Sequence, residues 1–81
     1  MQQKITTLWA LPIRRAWADM TQEDLADASG VSRSTISRLE SGTQEPRPST
    51  TSKLADVLGV EPQDLADYEL LRIVGYRRSR R

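Results

Sequence analysis

The chain has 81 residues, 37% hydrophobic and 28% charged, and its 12 basic and 11 acidic side chains leave a net charge of +1. That length supports one small core and no deep cavity. The absence of cysteine excludes disulfides and thiolate metal sites, and the absence of histidine removes the commonest metal ligand and general base. No stretch is apolar and long enough for a signal peptide or a membrane span, so a cytoplasmic protein without a membrane partner is expected.

Residues 1–11, MQQKITTLWAL, are too apolar for a disordered tag, yet Pro12 interrupts any single helix through them. They form either an extra turn packed on the domain or an arm reaching a partner or DNA. Packing is favoured, because Leu8 and Trp9 are costly to leave in water. Pro12 suits the first position of a helix running to about Asp19, with Ile13, Trp17 and Met20 on one apolar face. Thr21 is an N-cap for the next helix, and Asp24 can answer it in a capping-box arrangement. Leu25, Ala26 and Ala28 supply that helix's apolar side, and Gly30 supplies its exit. Val31 is a plug. Ser32 caps a third helix that turns Ile36 and Leu39 inward and Arg33, Ser34, Ser37 and Arg38 outward. Two short helices joined by a glycine-containing turn, the second with a polar outer face, make a helix-turn-helix.

Thr43 to Thr50 then read as loop, stiffened by Pro46 and Pro48. A fourth helix starts at Pro48 or Ser49, faces Leu54, Val57 and Leu58 inward, and stops at Gly59. Glu61 and Pro62 open a fifth, with Leu65 inward, that runs through Tyr68 to Val74. The organisation expected is all-α: an arm or extra turn at 1–11, a helix-turn-helix domain at 12–69, and a helix end with a basic tail at 70–81. Charge divides along the same line. Residues 1–69 hold seven basic and eleven acidic side chains, whereas 70–81 hold five arginines and no acid. Overall charge therefore does not announce a nucleic-acid ligand; placement has to. The acids Glu23, Asp24, Asp27, Asp56, Asp64 and Asp67 read as solvated helix faces. With no histidine partner and no metal-ligand spacing, they do not make a catalytic or metal site, so no enzyme and no cofactor is expected.

The run TQEDLA, ASGVS and STISRLESG, with Pro46 following Gly42 and KLADVLGV at 53–60, resembles the DNA-binding domain of the lambda-repressor and Cro-like (XRE) family. The likeness spans about residues 13–67. It implies a compact five-helix domain whose second and third helices are the helix-turn-helix, with the third lying in the major groove of double-stranded DNA. On that pattern Arg33, Ser34, Ser37 and Arg38 are the candidate base readers, and arginine's paired donors suit guanine O6 and N7. Thr21, Gln22, Ser32, Thr35, Thr43 and Gln44 are the candidate phosphate contacts, which set register and salt dependence. Some phage repressors of the family pair an arginine at the Arg15 position with a glutamate at the Glu40 position. The same pair here would be a structural clamp; the bland alternative is two separate surface charges. Arg14 departs from the family by replacing an apolar residue, which would rotate or shorten the first helix. Thr51 and Ser52 stand where leucines are usual.

The resemblance implies a sequence-specific transcriptional regulator of phage or bacterial type, more often a repressor. A phage switch, a restriction–modification controller and a self-regulating antitoxin all fit. Family members usually dimerise on inverted repeats. The candidate homodimer interface is Leu70, Leu71, Ile73 and Val74, with Leu65 and Tyr68, although this segment could instead fold back on the core. Arg77, Arg78, Arg80 and Arg81 either follow phosphates or form a solvated end. With no appended ligand domain, no small-molecule ligand is expected. The competing reading is a protein-interaction module, such as an antitoxin holding a toxin through the N-terminal arm or the 70–74 segment.

Overall fold

The computed structural model describes residues 8–66. Within them lie α1 (Leu11–Trp17), α2 (Gln22–Ser29), α3 (Arg33–Ser41) and α4 (Pro48–Leu58), followed by a 3-10 turn, Pro62–Ala66. The expected five helices are thus corrected to four α-helices and a 3-10 turn among the described residues. The chemistry of the turn explains the change. Asp64 Oδ2 accepts from the Glu61 backbone N–H, and the Asp64 N–H donates to the Glu61 carbonyl, both at 2.9 Å. This reciprocal three-residue step closes a tight turn, where a weak helix former such as aspartate does not favour a wider one. The remainder of the expected fifth helix lies outside the described residues.

The largest fully buried side chains among the described residues are Leu8, Leu11, Leu25, Ile36, Leu39, Leu54 and Leu65. Each contributes about 1.5–3 kcal/mol relative to exposure. Val31, Ala55 and Ala66 complete the cluster, with Met20, Ala26, Val57, Leu58 and Val60 packed on its edge. Leu8 and Leu11 anchor the start of the described chain, and the Ala10 N–H donates to the Leu65 carbonyl at 2.8 Å. Thr51 takes a leucine's place in the core. Burial of its hydroxyl is tolerated because Oγ1 donates to the Arg47 carbonyl one turn back, at 2.9 Å. Ser52, beside it, faces solvent.

Two expected apolar faces are corrected. Trp17 is 63% exposed, while Ile13 is half-buried. Leu11 faces the core, and six residues later Trp17 comes about 120° round the helix, beyond reach of it. The indole instead meets the Arg14 guanidinium, 5.5 Å from the ring centroid, a cation–π contact at the surface. Ala28 likewise faces solvent, and α2 commits Leu25 and part of Ala26 to the core. Helix α1 also ends at Trp17 rather than Asp19. Asp19 adopts φ +59°, and the Met20 N–H reaches back to the Arg15 carbonyl at 3.0 Å, which closes the helix early.

Candidate nucleic-acid interface

The face that would meet DNA begins at the cap of α2. Thr21 Oγ1 accepts from the Asp24 N–H, and Asp24 Oδ2 accepts from the Thr21 N–H, each at 3.0 Å. The Thr21 backbone bond, and secondarily its side chain, holds the Asp24 carboxyl below the usual carboxylate range. At the other end of α2, Gly30 takes φ +79°, a left-handed conformation that reverses the chain. Ser29 Oγ accepts from the Val31 N–H at 3.1 Å, and Val31 is buried beneath the turn. Ser32 then opens α3, its Oγ accepting from the Thr35 N–H at 3.1 Å. With Ile36 and Leu39 fixed inside, helical periodicity leaves Arg33, Ser34, Ser37 and Arg38 exposed on the other side.

These four side chains and Gln22 line one open concavity. The four candidate base readers are therefore brought together, with Gln22 at their edge. Gln22 is not loose there: its Nε2 donates to Glu40 Oε1 at 2.9 Å. The same carboxylate receives Arg15, from Nε to Oε2 at 2.8 Å and from Nη2 to Oε1 at 3.2 Å, while Arg15 Nη1 donates to the Met20 carbonyl at 3.0 Å. Both charged side chains are mostly covered, 18% and 10% exposed. One glutamate at the end of α3 thus ties α1 to α3 and orients the first residue of α2.

The candidate phosphate contacts fall into two groups. Thr21, Ser32 and Thr35 are engaged in capping, and Ser32 Oγ also donates to Thr35 Oγ1 at 2.8 Å. Beyond α3, Gly42 at φ +81° turns the chain, and the Thr43 N–H returns to the Arg38 carbonyl at 3.0 Å. Thr43 Oγ1 lies 3.1 Å from Ser41 Oγ. Gln44 comes back beside α3, where its Oε1 accepts from Arg38 Nε at 2.8 Å. Sequence reading did not find this contact or that of Gln22 with Glu40. The only signal was a glutamine placed just past a helix-ending glycine. Leu65, a candidate interface residue, is fully buried inside the domain, where it carries the 3-10 turn, so it presents no surface to a partner. Tyr68, Leu70, Leu71, Ile73 and Val74 lie outside the described residues.

Among the described residues no group of three or more metal-ligating side chains is found, and no helix is long and apolar enough to cross a membrane. Comparison with known proteins then places the fold. The helix-turn-helix family model matches residues 13–65. An HTH-type transcriptional regulator of Methanocaldococcus jannaschii is 44% identical over 55 residues, 68% of this chain and 83% of the relative. The control protein C.BamHI of Bacillus amyloliquefaciens is 38% identical over 56 residues, 69% of each chain. Among solved structures, the restriction-modification controller protein C.AhdI of Aeromonas hydrophila superposes with a TM-score of 0.69 at 31% identity, covering 75% of this chain and 92% of that one. The chain belongs to the helix-turn-helix family, in its lambda-repressor and Cro-like (XRE) form, and is a sequence-specific DNA-binding transcriptional regulator rather than an enzyme.

Proposed function

We propose that the chain acts as a repressor-type regulator that lays α3 in the major groove of an operator and reads it through Arg33, Ser34, Ser37 and Arg38. The observation that carries this reading is the convergence of those four side chains with Gln22 on one open face, opposite the buried Ile36 and Leu39. Each arginine can donate two bonds to a guanine, so G·C pairs are expected beneath both. The serines are short and set at most a weak preference. Around this centre Thr21, Gln22, Ser32, Thr35 and Thr43 border the phosphates and fix register. The N-terminus of α2 adds backbone N–H groups and partial positive charge.

One recognition helix covers few base pairs, which supports a homodimer on an inverted repeat. Its contact is assigned to Tyr68, Leu70, Leu71, Ile73 and Val74. Sedimentation of a chain ending at Ala66 tests this: loss of the dimer is expected, and an unchanged dimer would move the interface elsewhere. A cytoplasmic location follows from a DNA target. Among the biological roles, that of a restriction–modification controller is supported by the two controller relatives. The principal test is selection of duplexes from a random library by the full chain at near-physiological salt. An enriched inverted repeat with G·C pairs at fixed positions is expected. No enrichment would replace this reading with that of a protein-binding module.

A further inference from the structure

The loop after α3 does more than carry the chain to α4. Arg38 is exposed, and an exposed arginine side chain samples many rotamers, most of which point away from a base edge. Here its Nε is held on Gln44 Oε1 at 2.8 Å. The backbone of the same residue arranges this. The Arg38 carbonyl accepts from the Gly42 N–H, the Thr43 N–H at 3.0 Å and Ser41 Oγ at 3.2 Å. With Thr43 Oγ1, which donates to the same oxygen at 3.4 Å, four donors converge on one carbonyl and fix the path of the reversal, and that path returns Gln44 to the Arg38 side chain. Guanidinium has five donors in a planar fork. Engaging Nε on one edge leaves the two terminal nitrogens free, and those are the pair that can face guanine O6 and N7.

We propose that Gln44 is a specificity-determining positioning residue that lies outside the recognition helix. It holds Arg38 ready to read a guanine, instead of contacting a phosphate itself. The inference rests on the assignment of Arg38 as a base reader. Holding the side chain beforehand reduces the ordering that binding must otherwise impose, and releasing it is expected to weaken the guanine contact about three- to tenfold.

The test measures binding of the full chain to the duplex recovered by selection, and to every single-base variant of it. Arg38→Ala is expected to abolish the preference for guanine at one position. Gln44→Ala and the length-preserving Gln44→Met are expected to reduce that same preference about three- to tenfold and leave the other positions unchanged. In the Arg38→Ala background neither Gln44 substitution should have a further effect. A uniform loss across all bases, with the slope of log K against log salt unchanged because a neutral amide displaces no counterion, would mark Gln44 as a phosphate contact and overturn the proposal. An unchanged profile for both Gln44 variants would also overturn it. If Arg38→Ala itself left every base preference intact, the base-reader assignment would be what had failed, and the proposal would fall with it.

Discussion

Arg15 and Arg38 each donate an Nε bond of 2.8 Å to a side chain on another part of the domain, yet the two bonds have different consequences. Arg15 lies in the seam between α1, α2 and α3, spends all three of its nitrogens, and meets a carboxylate that is 10% exposed. Arg38 lies on the open face of α3, spends one nitrogen, and meets a neutral amide. Surroundings, not length, separate them. Stranding a covered carboxylate exposes the full cost of its desolvation, whereas water replaces a partner lost at the surface. One arginine therefore holds the domain together, and the other is available to a ligand.

The largest expected effect tests the covered side. Arg15→Ala should lower the unfolding free energy by about 3–5 kcal/mol in urea melts. A loss below about 1 kcal/mol would put this pair in the class of surface ion pairs and erase the contrast. On the open side, Arg33→Ala and Arg38→Ala should each cost about 1–3 kcal/mol of discrimination in operator titrations, while urea melts shift by less than about 0.5 kcal/mol. A large stability loss from either would mean that the open face is structural as well. At the border between the two regions, Thr21→Ala should cost about 1 kcal/mol by removing the cap of α2. That cap is also pH-dependent. Asp24 ionises more readily when folded, so its contribution is complete above the ordinary aspartate value of the unfolded chain and is lost as pH falls through the lower folded value. Thermal melts of Asp24→Asn against the parent chain should converge at the acid end of the range. The smallest effect belongs to a third arginine. Trp17→Ala removes the exposed ring beside Arg14 and should cost about 0.5–1 kcal/mol; a cost of several kcal/mol would show that the indole is buried by something else.

What could be read from the sequence was local. The Thr21–Asp24 box, the Ser32 cap, the glycine exits at Gly30 and Gly59, and the inward Leu25, Ile36, Leu39 and Leu54 are each set by residues within a turn or two of one another. Periodicity could not decide α1, because two apolar faces were available. Packing chose the face carrying Leu11, backed by Leu8, over that carrying Trp17. The fifth helix failed for a related reason: Leu65 marks an inward position in a 3-10 turn as well as in an α-helix. The candidate readers on α3 were legible because a fixed inside determines an outside. Their supports were not. Gln22 with Glu40 and Arg38 with Gln44 depend on how side chains lie across a chain reversal, and sequence spacing does not encode that.

The backbone bond from Ala10 to Leu65 has a consequence for how the domain opens. It fastens the turn that leads into α1 to the 3-10 turn, two segments 55 residues apart in sequence. Peeling back Leu8 to Leu11 uncovers Leu65, and releasing the 3-10 turn uncovers Leu8. Neither segment opens without breaking the contact that holds the other. The two segments are expected to open as one cooperative unit, with amide protons that exchange with solvent together.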